Sequence, residues 1–125
     1  MSIIPRGKIQ VVDDDEDVRA STRLLLEAMG FSVEDFADAE SFLKAAEGSP
    51  ADCLILDNHL PGMSGVELLE LLRQRGIDTP ALIMTANGRQ TAIRAAKAGA
   101  TTVLRKPLAG DSLSHWLDQI FSGKN

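Results

Sequence analysis

The sequence has no tyrosine, a single tryptophan, a single cysteine and no surplus of positive charge, and each shortage closes off a class of function. One cysteine excludes a disulfide framework within the chain. Cys53 stands inside an apolar run, where it reads as a small core hydrophobe rather than a reactive thiol or metal ligand. With 13 basic against 18 acidic residues the net charge is -5, the wrong sign for a phosphate-backbone binder, and no basic run interrupts the balance. Direct binding of nucleic acid by this chain is not expected. No apolar stretch approaches the roughly 18 residues needed to span a bilayer, and the N-terminus lacks the apolar segment of a signal peptide, so no membrane contact and a reducing cytoplasm are expected. Neither G-x-x-x-x-G-K nor G-x-G-x-x-G occurs, which leaves nucleotide binding unsupported. No internal repeat, low-complexity segment or interdomain linker breaks the 125 residues, a length that suits one compact domain.

What is present is organised around residues 53–65. Cys53-Leu54-Ile55-Leu56 is too short for a helix and is bracketed by Pro50 and Pro61-Gly62, as a strand buried on both faces would be. It ends on Asp57. The rest of the chain repeats this plan. Residues 1–7 read as a disordered lead-in; Lys8 to Val12 is a strand that stops at Asp13-Asp14. Val18, Thr22, Leu25, Leu26 and Met29 then recur at helical spacing up to Gly30. Residues 31–33 alternate as a short strand, and Asp38 caps a helix carrying Phe42, Leu43 and Ala46 that stops at Gly48. After the central strand, Gly65-Val66 opens an apolar helix ended by Gly76. Residues 80–84 form another buried strand, which delivers Thr85. Asn87-Gly88 predicts a turn before a small-residue helix from about Gln90 to Ala98, stopped by Gly99. Residues 102–104 are a brief strand leading to Lys106-Pro107, and Asp111 caps a last helix with Leu113, Trp116, Leu117, Ile120 and Phe121 at 3–4 spacing. Residues 123–125 are a polar tail.

Strands alternating with helices five times predict an α/β fold, a doubly wound five-stranded parallel sheet with helices on both faces (flavodoxin-like, (βα)5). In such a sheet the strand ends converge on one edge, where ligands bind. That edge would gather Asp13-Asp14, Asp57, Thr85 and Lys106. Two carboxylates about 4 Å apart repel by roughly 4 kcal/mol at an effective dielectric near 20, so a buried cluster of them calls for cations. Lys106 supplies one, and an all-oxygen set suits Mg²⁺ (or Mn²⁺) better than zinc, which favours His or Cys. Asp57 then either merely caps the following loop or acts as a nucleophile that forms an acyl phosphate, with Lys106 and the Thr85 hydroxyl around the transferred group.

The motifs V-V-D-D-D-E-D-V-R, L-I-L-D-N-H-L-P-G-M-S-G, L-I-M-T-A and L-R-K-P-L, in this order and spacing, resemble the receiver domain of bacterial two-component response regulators across residues 8–122. The resemblance implies that Asp57 is the phospho-acceptor and Asp14 the main acidic metal ligand. By the same likeness Asp13 reaches the metal through water, the backbone carbonyl of His59 is a further ligand, and Thr85 with Lys106 senses the phosphate. A cis Lys106-Pro107 bond would fit the family. So would a histidine kinase or histidine phosphotransfer protein as phosphodonor, a downstream target, and a phosphorylation-dependent homodimer. The chain departs from the family at Val103, where a switching aromatic ring is common; coupling would then rest on Thr85 and the backbone after it. It also stops after its fifth helix with no output module, as a stand-alone receiver or one separated from its output half would.

Two other functions compete. A haloacid-dehalogenase-like phosphohydrolase also uses a strand-end aspartate and Mg²⁺ but expects a second acid two residues on, where this chain has His59. A receiver fold serving only as an interaction scaffold would not need the acid-Asp-Thr-Lys set. His59 is too isolated for a zinc site, His115 reads as a solvated helix residue, and Trp116 and Phe121 read as core.

Overall fold

The computed structural model describes residues 5–46, 50–86 and 88–122. Five strands, β1 (Lys8–Val12), β2 (Ser32–Phe36), β3 (Cys53–Asp57), β4 (Ala81–Thr85) and β5 (Thr102–Arg105), alternate with helices α1 (Glu16–Ala28), α2 (Ala39–Ala46), α3 (Gly65–Gln74), α4 (Gly88–Lys97) and α5 (Gly110–Ser122). All strand pairs are parallel, in the order β2-β1-β3-β4-β5. The expected doubly wound sheet is therefore the one formed.

The period of two along each strand divides the core. Val12, Leu54, Leu56 and Ile83 pack with Phe42, Leu68, Leu69, Leu72 and Ala95 of α2, α3 and α4. Ile9, Val11, Cys53, Ile55, Leu82, Met84 and Leu104 pack with Leu26, Leu113 and Leu117 of α1 and α5. Cys53 is buried and outside any disulfide, as its apolar neighbours require. Trp116 and Phe121 are partly buried against the second cluster, Phe121 with its ring 4.9 Å from that of Phe31.

Several boundaries differ from the sequence reading. β2 starts later and runs longer than residues 31–33 because it is an edge strand whose partners are ionic: Glu34 pairs with Lys8, and Asp35 with Arg19 and Arg23. Hydrophobic alternation does not register such a strand. Phe31 is buried just before it, its N–H bonded to the Leu26 carbonyl at the end of α1. Within the stretch read as a lead-in, Arg6 donates its N–H to the Gly30 carbonyl and its guanidinium to Asp118, and the Gly7 carbonyl accepts from Ser32. Residues 1–4, the Gly48 stop, Asn87 and the 123–125 tail lie outside the described residues. Gly88 opens α4 instead of completing a turn, and α5 begins at Gly110, so Asp111 sits in its first turn rather than capping it. Asp38 does cap α2, accepting from the Ser41 N–H at 2.7 Å. Gly30, Gly76 and Gly99 all take positive φ where α1, α3 and α4 end, a backbone region that costs glycine little.

At the edge of the sheet away from the carboxyl ends, Arg73 in the last turn of α3 donates from Nη1 to the Ile77 and Thr79 carbonyls, both at 2.8 Å, and from Nη2 to the Gly99 carbonyl at 3.0 Å. One planar fork thus holds the α3–β4 loop against the end of α4. A charged donor contributes about 1.5–3 kcal/mol per bond when sheltered, less where partly exposed as here. Arg73→Met should therefore lower unfolding free energy by roughly 2 kcal/mol in urea titrations, and Arg73→Lys should recover little of it because an ammonium cannot span three carbonyls. Full stability in Arg73→Lys would show that charge, not the fork, matters.

Candidate functional site

The strand ladders carry the site residues to one edge. Asn58 N–H bonds to the Met84 carbonyl at 2.8 Å and Lys106 N–H to the Thr85 carbonyl at 3.0 Å, so β3, β4 and β5 stay in register one residue past their ends. Asp13, Asp57 and Thr85 are all essentially buried (at most 1 % exposed), whereas Asp14 and the His59 side chain are exposed. One carboxylate oxygen each from Asp13, Asp14 and Asp57 lies within 4.8 Å of the others, a grouping that can hold a metal ion. Lys106 Nζ is 3.1 Å from Asp57 Oδ1 and 3.5 Å from Asp13 Oδ2. The Lys106-Pro107 bond is cis.

The remaining bonds fix the carboxylates. Asp57 Oδ1 accepts from the His59 N–H at 3.1 Å, and Asp13 Oδ1 accepts from the Asp15 N–H at 3.0 Å. Asp15 in turn caps α1, accepting from the N–H groups of Asp17 and Val18. Asp13 Oδ2 is buried and has no hydrogen-bond partner among the described residues; the Lys106 ammonium stands 3.5 Å from it. A buried carboxylate oxygen with unmet acceptor capacity, beside two further acids, fits a hard divalent cation bound through oxygen or water.

Burial pushes the Asp13 carboxyl up to about 6 from 3.8; the neighbouring Asp57 charge adds to this, while the Asp15 N–H and Lys106 oppose it. Lys106 is held above its ordinary 10.5: burial pulls it down, but Asp57 and Asp13 outweigh that. For Asp13 the sign follows from linkage. The folded state keeps its proton to higher pH than the unfolded state, so this group's contribution is intact below about pH 4 and lost as pH rises through about 6, a difference of at most roughly 3 kcal/mol. Asp13→Asn in metal chelator should thus raise the melting temperature at pH 7.5 and flatten its fall between pH 4 and 7. A lower melting temperature across that range would mean that the carboxylate is stabilised rather than strained.

Three positions were not singled out in the sequence. Ser64 caps α3 in a capping box with Glu67, which the spacing S-x-x-E signals. Asn58 and Thr91 are hydrogen-bonded to each other at 3.4 Å, and Thr91 reaches the Thr85 hydroxyl at 3.5 Å. No local pattern links residues 33 positions apart. Val103 is half-buried against the α2–α4 side of the core and borders a recess lined by Gly88, Arg89, Ala92 and Arg105. No helix among the described residues is long and apolar enough to cross a membrane.

Known proteins place this arrangement. The transcriptional regulatory protein FixJ of Bradyrhizobium diazoefficiens is 39% identical over 114 residues, covering 90% of this chain and 56% of its own length. The response regulator protein TodT of Pseudomonas putida is 35% identical over 106 residues, 84% of this chain and 47% of its own. The chain therefore spans about half the length of these relatives. Among solved structures, the receiver domain of the Francisella response regulator 1452 superposes with a TM-score of 0.88 at 25% identity, covering 95% of this chain and 99% of its own. The BeF3-activated DrrB receiver domain gives 0.82 at 25% identity, over 93% and 97%. A haloacid-dehalogenase-like assignment has neither the second acid nor these relatives. The family model for the response regulator receiver domain matches residues 9–118, and this chain belongs to that family.

Proposed function

We propose that this domain is a phosphorylation-dependent signalling switch in which Asp57 accepts a phosphoryl group. The observation that carries the reading is the buried Asp57 carboxylate, 3.1 Å from the Lys106 ammonium at the end of β3. In the transfer, an Asp57 oxygen attacks phosphorus as the bond from phosphorus to the donor breaks, leaving an acyl phosphate on Asp57 and the electron pair on the leaving group. Lys106 balances charge on the phosphoryl oxygens, and the Thr85 hydroxyl turns to donate to one of them. Asp14 and Asp57, with the His59 carbonyl and with Asp13 through water, are the residues that would hold Mg²⁺ or Mn²⁺. That ion would offset the repulsion between carboxylates and phosphoryl group. Slow hydrolysis of the acyl phosphate resets the switch.

Membership of the family supports a histidine kinase or a histidine phosphotransfer protein as the donor. FixJ is a transcriptional regulator, and by likeness the output of this switch lies in chain or partner beyond these residues. Acetyl phosphate with Mg²⁺ should add the mass of one phosphoryl group to the intact protein, while an unchanged mass under conditions that label a known receiver would overturn the proposal. Mg²⁺ should also raise the melting temperature, because binding to the folded state alone stabilises it by mass action; at 100 times the dissociation constant the gain is about 2.7 kcal/mol. Asp14→Ala should lose most of that gain. An equal rise in both proteins would remove Asp14 from the metal site.

A further inference from the structure

On the α4 side of the proposed acceptor, two polar side chains that the phosphotransfer scheme does not use, Asn58 and Thr91, lead to Thr85, which it does. The Asn58 amide can be oriented by chemistry. Its Oδ1 is 3.3 Å from the Val66 N–H, which can only donate, so Nδ2 is the group that faces Thr91, at 3.4 Å. Thr91 Oγ1 can therefore accept from Asn58, and its hydroxyl is within donating distance of Thr85 Oγ1, 3.5 Å away. Both threonines are buried, Thr85 fully. The line joins four places: the residue after Asp57, the first turn of α3, the first turns of α4 and the end of β4.

Alternation along the strands gives this line its direction. Thr85 follows Ala81 and Ile83, which pack on the α2–α4 side, whereas Asp57 follows Cys53 and Ile55 on the α1–α5 side. For its hydroxyl to serve a phosphoryl group on Asp57, as the proposed function requires, Thr85 must leave Thr91. At 3.5 and 3.4 Å these are weak neutral hydrogen bonds, whereas a phosphoryl oxygen is a charged acceptor. The exchange therefore favours the phosphoryl group.

We infer that Thr91 is a positioning residue: it latches the Thr85 hydroxyl to α4 in the unmodified domain and, held by Asn58, passes the loss of that bond to the start of α4. The inference rests on Asp57 as acceptor. Its consequence is thermodynamic. Removing the latch removes a bond present in the unmodified state alone, so the phosphoryl-bound state gains relative to it.

Thr91→Val keeps the side-chain shape and deletes the hydroxyl. With Mg²⁺ and beryllofluoride, a tetrahedral phosphoryl mimic, as the probe, the variant should bind the probe about three- to tenfold more tightly than the unaltered protein, the range a single neutral hydrogen bond supports. It should also show a smaller change in amide exchange over residues 88–97 on binding. Thr91→Ser, which retains the hydroxyl, should restore both values. Asn58→Ala should shift affinity in the same direction, and the Asn58→Ala, Thr91→Val double variant should shift it no further than Thr91→Val alone. Unchanged affinity and an unchanged α4 response in Thr91→Val would overturn the latch. So would a Thr91→Ser variant behaving like Thr91→Val, since the methyl group would then be the active part. If the unaltered protein binds beryllofluoride no better than Asp57→Asn does, the acceptor assignment fails and the latch falls with it.

Discussion

Asp57→Asn should abolish phosphorylation by acetyl phosphate while leaving the domain folded and, without Mg²⁺, as stable as or more stable than the unaltered protein. The loss of chemistry is complete because the amide oxygen carries no charge with which to attack phosphorus. The stability argument weighs two opposed effects. The substitution deprives Lys106 of the carboxylate at 3.1 Å, yet Asp13 remains 3.5 Å from the same ammonium. It also removes one of three carboxylates that each bring an oxygen within 4.8 Å of the others, two of them paired with the same lysine. Three negative charges against one positive leave a net surplus, so removing an acid relieves more repulsion than it forfeits attraction. An asparagine Oδ1 can still accept the His59 N–H, which preserves the loop after β3. We expect a gain on the order of 1 kcal/mol by urea unfolding in chelator. Labelling of Asp57→Asn at the unaltered rate would show that the acceptor lies elsewhere, and a large loss of stability would show that the Lys106 pair dominates the cluster.

The sequence made β3 and β4 legible because each is a short apolar run buried on both faces and flanked by Gly or Pro. For Cys53–Asp57 and Ala81–Thr85 that pattern has no good helical alternative. The site was legible for a related reason: in a parallel sheet, whatever follows each apolar run must arrive at the same edge. Asp13, Asp57, Thr85 and Lys106 were therefore brought together by topology before any side-chain contact was known. β2 was only partly legible, since Glu34 and Asp35 look like loop residues until Lys8, Arg19 and Arg23 are placed beside them. Asn58 and Thr91 could not be read at all. Their partnership depends on how α4 sits against the end of β3, and an Asn or Thr at either position is, in sequence, an ordinary polar residue.

Gly65 is where the fold and the site are most tightly joined, and Gly65→Ala should damage both. Gly65 begins α3 directly after its Ser64 cap, and its N–H bonds to the Asn58 carbonyl at 3.2 Å. A Cβ there would stand 2.9 Å from the Asp57 carbonyl carbon, closer than side chains approach such an atom, closer still to the Asp57 carbonyl oxygen, and a tight 3.1 Å from Asn58 Cα. The obstacle is backbone, pinned in turn by the Asn58 N–H bond to Met84, so no flexible side chain can swing aside. Either α3 moves outward or the end of β3 shifts. We expect a cost of about 3 kcal/mol, at the upper end for overpacking, and a fall in melting temperature of roughly 10 °C for a domain of this size. Because the shift falls on the Asp57 backbone, phosphorylation by acetyl phosphate should slow even at temperatures where the variant is fully folded. Gly88→Ala is the matching control. That glycine is also the first residue of a helix, but a Cβ there meets nothing within 4 Å, so the change should be neutral or stabilise by up to about 1 kcal/mol through reduced backbone freedom in the unfolded chain. Urea unfolding and initial phosphorylation rates of the two variants, measured side by side, decide the matter. If Gly65→Ala falls within 0.5 kcal/mol of Gly88→Ala, roughly the margin of ordinary surface substitutions, the close approach of α3 to the Asp57 backbone is not what positions the acceptor.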